Sequence, residues 1–143
     1  MKNFYTFLAL TVALVALPST QAQFSYTVND GTVTITGYTG TGGAVAIPAT
    51  INELPVTSIG QAAFNQCANL TSIVIPNGVT SIGIAAFYNC TNLTDISIGV
   101  GVTNIGDSAF YECNRLTRIA IPASVASIGV GRIVLFWDAP AWQ

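Results

Sequence analysis

The chain has 143 residues, of which 51% are hydrophobic and only 7% are charged, and its formal net charge is −2. Four basic residues against six acidic ones cannot supply the clustered cations that bind nucleic acid through its phosphates, so that class of partner is excluded. The chain contains no histidine, which excludes Ser-His-Asp and Cys-His nucleophile pairs and the commonest metal ligand.

Residues 1–22 have the pattern of a secretory signal peptide. Lys2 precedes an apolar or threonine run from Phe7 to Leu17, and the small residues of PSTQA lead to a cleavage point after Ala22. The run is shorter than the roughly 20 residues that span a bilayer, and Pro18 would end a helix there, so an uncleaved anchor is the less favoured alternative. After cleavage we expect no membrane insertion.

Residues 23–55 are predicted to form an N-terminal cap and a partial repeat. The stretch FSYTVNDGTVTITGY alternates apolar and polar residues on both sides of Asp30 and Gly31, which is typical of a β-hairpin. The following stretch, AVAIPATINELPV, places Val45 and Ile47 in the columns of a later repeat but has five extra residues before Val56. We therefore predict half a coil with an insertion, which shields the first full coil from water.

Residues 56–129 repeat a unit of 23 residues. The copies VTSIGQAAFNQCANLTSIVIPNG, VTSIGIAAFYNCTNLTDISIGVG and VTNIGDSAFYECNRLTRIAIPAS begin at Val56, Val79 and Val102, and a fourth copy begins at Val125. Self-similarity at this fixed period predicts a solenoid in which each unit is one coil stacked on the previous one.

Each column of the repeat has a predicted structural role. Ile73 and Ile75 are two residues apart and lie on one side of a short strand, and Gly60 marks a bend. Ala63, Phe64 and Cys67 have the spacing of the inward face of one helical turn. Their copies, predicted to stack beneath them in the core, are Ala86, Phe87 and Cys90, then Ala109, Phe110 and Cys113.

Residues 130–143 depart from the repeat. Arg132, Ile133 and Phe136 occupy the columns of the alanine, phenylalanine and cysteine, and the segment holds both tryptophans, Trp137 and Trp142. Two interpretations remain open, a short hydrophobic lid or a chain that is truncated or frame-shifted.

The unit C-x-x-L-x-x-I-x-I-P resembles the leucine-rich repeats, specifically the BspA-type class with its SIGxxAFxxCxxLxxIxIPxxV pattern, over residues 56–129. The resemblance implies a leucine-rich-repeat solenoid, a right-handed superhelix of short parallel β-strands with helical turns. It also implies a secreted or cell-surface protein that acts in adhesion or protein binding.

Cys67, Cys90 and Cys113 recur in one column, and neighbouring coils about 4.8 Å apart would permit a disulfide. The odd count and the parallel side chains favour a buried ladder of free thiols instead. A zinc site is less favoured still, because no C-x-x-C spacing is present.

The outward side of the strand ladder is the candidate binding surface, since solenoid faces bind extended partners. Asp95 and Arg118 share one of its columns and are predicted to pair. The Thr71, Thr94 and Thr117 column lies beside it, and Tyr88 and Tyr111 form an exposed aromatic pair on the side of the turns. The residues of the face itself are Ser72, Val74, Asp95, Ser97, Arg118 and Ala120.

The leading hypothesis for function is therefore a non-enzymatic surface module that binds a host or microbial surface protein and needs no cofactor or metal. A structural spacer, or a fragment of a longer repeat protein with no binding of its own, is the first alternative. An extracellular hydrolase comes last, because the six acidic residues fall in unrelated columns and do not form the facing carboxylate pair of a glycosidase.

Overall fold

The computed structural model describes residues 20–131, and within this range the chain is a stack of parallel coils built from ten short strands. A single 3-10 turn at Thr20–Gln23 precedes them. The strands are β1 (Phe24–Asn29), β2 (Thr32–Tyr38), β3 (Gly43–Ala46), β4 (Thr50–Ile51), β5 (Leu54–Ile59), β6 (Leu70–Val74), β7 (Ser81–Ile82), β8 (Asp95–Ser97), β9 (Asn104–Ile105) and β10 (Ser127–Ile128).

The strands form two sheets, and each full coil contributes to one or both of them. Sheet A has the order β1-β2-β5-β7-β9-β10, with β4 attached to β5, and sheet B has the order β3-β6-β8. In sheet A, Ile59 is in register with Ile82, which is in register with Ile105. In sheet B, Val45 is in register with Ile73 and Ile73 with Ile96. These registers confirm the solenoid and the predicted alignment of the partial repeat on the full ones.

The phenylalanines of the three repeats stack face to face through the core. The ring centroids of Phe64 and Phe87 are 5.0 Å apart at an interplanar angle of 19°, and those of Phe87 and Phe110 are 5.3 Å apart at 4°. Phe64 and Phe87 are fully buried and Phe110 is 3% exposed. Offset or stacked aromatic pairs add about 0.5–1.5 kcal/mol to the free energy of burial, so this stack joins the coils as well as filling them.

The N-terminal hairpin is present and it extends the aromatic stack. β1 and β2 pair antiparallel around Asp30 and Gly31, both of which have positive φ, as the type I′ turn of a two-residue loop requires. β2 then pairs parallel with β5, so the hairpin continues sheet A. Tyr38 of β2 stacks on Phe64 with centroids 5.3 Å apart. The hairpin thus covers the outer face of the first repeated phenylalanine.

The five-residue insertion before Val56 forms a second tight hairpin. β4 and β5 pair antiparallel around Asn52 and Glu53, which have φ values of 49° and 67°. The Asn52 side-chain amide donates a hydrogen bond of 2.8 Å to the hydroxyl of Tyr26 in β1. The insertion is therefore anchored to the N-terminal hairpin.

The segment between the two sheets of each coil is a series of tight turns, where the sequence predicted a helical turn. Ala62 and Gln66 have φ values of 55° and 59°, which a right-handed helix excludes. The N–H groups of Ala62, Phe64 and Gln66 donate to carbonyls of the next coil, at Ile84, Ala86 and Tyr88. Alternate N–H groups are thus used between coils, which prevents the local i to i−4 bonding of a helix. The inward placement of Ala63 and Phe64 is nevertheless as predicted, because both are buried.

The glycine that closes each VTSIG segment has a different role from the predicted bend. Gly60, Gly83 and Gly106 do not have positive φ. A Cβ built on Gly83 would lie 2.6 Å from the carbonyl carbon of Gly60 and 2.7 Å from the amide nitrogen of Gln61. The column is glycine because the backbones of successive coils approach each other too closely there for a side chain.

Candidate binding surface

The outer face of sheet B carries four of the predicted binding residues side by side. Ser72 is in register with Asp95, and Val74 is in register with Ser97. The inward neighbour Ile73 is buried, which turns these side chains outward. Asp95 and Ser97 are exposed, Ser72 is half-buried, and Val74 is 50% exposed despite being apolar.

Arg118 and Ala120 are exposed but do not continue the strand ladder. Sheet B ends with β8, and residues 117–121 have no strand pairing. Arg118 makes an interaction of its own. The pairing of Asp95 with Arg118 therefore stays a prediction, although the strand register on which it was based ends at β8.

Two alanines that the sequence analysis did not single out extend the face toward the N-terminus. Ala44 of β3 is in register with Ser72, and Ala46 with Val74, and both alanines are exposed. The alignment of Val45 on Ile73 already implied these positions, since side chains alternate along a strand. The face, defined by Ala44, Ala46, Ser72, Val74, Asp95 and Ser97, is thus three coils wide and mostly uncharged.

The threonine column beside this face is a hydrogen-bonded ladder. The hydroxyl of Thr94 donates a bond of 3.1 Å to the carbonyl of Thr71, and the amide of Thr94 donates to the same carbonyl at 2.9 Å. Asn92 donates from its side chain to the carbonyl of Ala68 at 2.7 Å. These hydrogen bonds join neighbouring coils and make the edge of the face rigid. A partner would therefore contact the side chains at the centre of the face.

Tyr88 and Tyr111 form the predicted pair, away from sheet B. Their ring centroids are 5.4 Å apart at an interplanar angle of 12°, and both residues are half-buried. Their carbonyls accept hydrogen bonds from Gln66 and Asn89, so they lie on the side of the turns. The structure therefore does not bring them together with Asp95 and its neighbours.

The cysteines are free thiols within the described part of the chain, as the ladder interpretation predicted. The Sγ of Cys90 donates to the carbonyl of Phe64 at 3.1 Å, and that of Cys113 donates to the carbonyl of Phe87 at 3.0 Å. Each thiol thus caps the turn of the coil before it. Contact with the Cys113 thiol, together with burial, raises the pKa of Cys90.

Cys67 differs from the other two because no AFxxC turn precedes it. It is half-buried where Cys90 and Cys113 are buried, and this departs from the prediction that all three are core residues. Burial raises the pKa of Cys67 above its ordinary value.

We expect a maleimide at pH 8 to label Cys67 in the folded protein at least about tenfold faster than Cys90 or Cys113, because access to the thiolate controls the rate. The raised pKa of Cys67 implies that its labelling accelerates further as the pH rises. Peptide mapping after timed labelling measures all three rates, and equal labelling of the three thiols would contradict the buried ladder.

The described part of the chain was also compared with the requirements of a metal site and of a membrane-spanning helix. Residues 20–131 contain no cluster of three or more potential metal-ligating side chains. In the same range, none of the helical segments has the length and apolar character needed to span a bilayer. The arrangement at sheet B can form hydrogen bonds and apolar contacts to a bound surface, which are the contacts of recognition.

Comparison with known proteins places the repeat in a described class. Residues 49–132 match the profile of the BspA type leucine rich repeat region. No curated protein matches the chain.

Among solved structures, the chain is similar to a leucine rich repeat protein of T. pallidum, with 35% identity and a TM-score of 0.74 over 76% of the chain, and it spans 51% of that protein. A leucine-rich repeat protein from Bacteroides capillosus is 34% identical, with a TM-score of 0.69, over 74% of this chain and 83% of that one. A leucine rich cell surface protein from Faecalibacterium prausnitzii is 40% identical, with a TM-score of 0.62, over 68% of this chain and 28% of that one.

Proposed function

The chain belongs to the BspA-type leucine-rich repeat family, and from that premise we propose that it is a cell-surface recognition module that binds a protein ligand through the outer face of sheet B. Export by the leader at residues 1–22, which lies almost entirely outside the described residues, is part of this proposal. The description of the F. prausnitzii relative as a cell surface protein supports the surface location.

One observation carries the proposal. Along sheet B the inward column repeats apolar residues, Val45, Ile73 and Ile96, while the outward column in the same strands reads Ala44, Ser72 and Asp95. The inward positions of the strands therefore stay apolar from coil to coil, and the chemical character of the side chains varies only at the outward positions. An exposed, rigid and mostly uncharged face with Val74 half-exposed near its centre has the composition of a protein-binding patch, with an apolar centre and polar surroundings.

The test is binding by the purified chain to cells and to extracellular matrix proteins, measured with a charge-matched pair of variants. We expect Asp95→Lys to weaken binding at least about tenfold, because it reverses a charge within the face. Glu112→Lys makes the same change of charge on the side of the turns and is expected to bind as the unmodified protein does.

Equal losses in both variants, or no binding to any cell or matrix protein, would contradict the assignment to sheet B. Binding that is unaffected by Asp95→Lys but lost on altering Tyr88 and Tyr111 would move the site to the side of the turns. A chain that binds nothing while remaining folded is the result expected of a structural spacer.

Catalysis is not part of this proposal, because the family and the solved relatives are repeat proteins. Turnover of any glycoside or ester substrate by the purified chain would overturn that view.

A further inference from the structure

The edge strand of sheet A is exposed and lacks the features that usually keep edge strands apart. β1 lies at the end of the sheet and pairs only with β2 among the described strands. Its sequence, FSYTVN, contains no proline and no charged residue. Of the edge strands in residues 20–131 it is also the longest, since β3 has four residues, β8 three and β10 two. Exposed edge strands are normally protected from pairing with another chain by charged residues, by proline or by their short length.

The hairpin turn determines which backbone groups of β1 point outward. Asn29 and Thr32 flank the two-residue turn and form a hydrogen-bonded pair. Because hydrogen-bonded and non-hydrogen-bonded pairs alternate along an antiparallel ladder, Thr27 also bonds to β2. Val28 and Tyr26 therefore direct their N–H and C=O groups away from β2. The bulge at Ser25 and Tyr26 leaves Thr36 unpaired on β2 and does not interrupt β1. The outward groups of Val28 and Tyr26 are thus available to another strand.

One apolar side chain on this edge is exposed without an evident reason within the fold. Val28 is paired with the fully buried Val33, on the inward side of the sheet, yet it is 49% exposed. The half-buried Tyr26 lies two residues away on the same side. A strand added alongside β1 would cover Val28.

We propose that β1 is a self-association edge, at which two copies of the chain pair antiparallel about a two-fold axis at Thr27 to form one continuous sheet. With the axis at Thr27, Val28 faces Tyr26 of the partner subunit and Thr27 faces its own copy, so that outward groups bond to outward groups. Val28 then packs beside a tyrosine ring, which is a favourable cross-strand pair of an aromatic and a β-branched residue.

The same register favours a second copy over an unrelated strand. The pairing is self-complementary, as a two-fold interface requires. It also places Phe24 opposite Asp30 of the partner subunit. Cleavage after Ala22 would put the new α-amino group of Gln23 next to that carboxylate, so each copy would supply a cation to the anion of the other.

Two cysteine variants test the register directly, in a Cys67→Ser background that removes the half-buried thiol. Residues facing each other in a non-hydrogen-bonded pair have Cα atoms about 4.5 Å apart, within disulfide range. Thr27→Cys is therefore expected to give a covalent dimer on oxidation with diamide. Ser25→Cys lies on the same exposed side of β1. Its Cα would be about 13 Å from that of its copy, because the two positions are four residues apart along the paired strands at about 3.3 Å per residue. This variant is therefore expected to remain without a cross-link.

Light scattering and sedimentation of the purified protein between 1 and about 100 μM test the association itself. We expect a reversible dimer, a dissociation constant at least about tenfold higher for Val28→Lys, and no change for Val100→Lys, which adds the same charge to a valine that is 68% exposed on another side. Circular dichroism establishes that both variants are folded.

A protein that is monomeric throughout this range would overturn the proposal, as would assemblies larger than a dimer, because the two-fold pairing closes on itself. Equal effects of the two lysine variants, or cross-linking by Ser25→Cys in place of Thr27→Cys, would equally overturn it.

Discussion

Replacing Phe87 by alanine is expected to lower the free energy of unfolding by about 3–5 kcal/mol, a large part of the roughly 5–15 kcal/mol that stabilises a typical domain. Phe87 is fully buried and has a ring on each side, Phe64 at 5.0 Å and Phe110 at 5.3 Å. Its removal leaves a cavity at the centre of the stack and ends two aromatic contacts, so we expect the chain to be largely unfolded. Thermal or urea denaturation followed by circular dichroism measures the change.

The matched control is Val100→Ala, which also truncates an apolar side chain but at a position that is 68% exposed. It is expected to change stability by no more than about 0.5 kcal/mol. A melting curve for Phe87→Ala that coincides with that of the unmodified protein would contradict the aromatic stack as the core of the solenoid.

Replacing Gly83 by alanine is expected to have the second largest effect, a loss of about 2–3 kcal/mol. The new Cβ would lie 2.6 Å, 2.7 Å and 2.8 Å from backbone atoms of Gly60 and Gln61, none of which belongs to a flexible side chain. The Gly83 amide also donates a hydrogen bond to the carbonyl of Ile59 at 2.8 Å. Relief of the clash therefore requires two coils to separate, which would lengthen such bonds. A decrease of about 10 °C in Tm is the expected observation.

Gly78→Ala is the appropriate comparison, because a Cβ there would meet only the carbonyl oxygen of Val56, at 3.5 Å. Its φ is not in the left-handed region, so alanine is tolerated, and restriction of the unfolded chain is expected to leave stability unchanged or raised by up to about 1 kcal/mol. If Gly83→Ala were as stable as Gly78→Ala, the close approach of the coils at Gly83 would be wrong.

The period of the sequence was sufficient to predict most of the core. A shift of exactly one repeat relates Phe64 to Phe87 and Ile73 to Ile96, and stacked coils must bring such residues into register. The Asp30 and Gly31 turn was also predictable, because few dipeptides accept positive φ at both positions.

The conformation of the turns could not be obtained in the same way. Inward residues at Ala63, Phe64 and Cys67 satisfy both a helical turn and a series of tight turns. Which of the two conformations forms depends on the hydrogen bonds that the N–H groups of Ala62 and Phe64 donate to the next coil. These bonds join residues far apart in the chain, so a short window of sequence does not reveal them. The left-handed φ of Ala62 is equally hidden, since alanine is a strong helix former.

The candidate surface was predicted only where the strand ladder persists. Asp95 and Ser97 follow from alternation in β8, whereas Arg118 was placed in the same column on the assumption that sheet B continues. Likewise, the half-exposure of Cys67 follows from the absence of a preceding AFxxC turn, a property of its place in the stack that its own sequence context does not reveal.

The uniform register of sheet A determines how such a protein can change in length. In sheet A, successive coils pair at equivalent positions, as in the alignment of Ser58 with Ser81 and of Ser81 with Asn104. Duplication of one unit would insert a coil whose upper and lower surfaces already fit those on either side, with no compensating change elsewhere. Recombination within the gene can therefore enlarge or shorten the exposed face by whole coils, and each added coil contributes new outward residues on which selection can act.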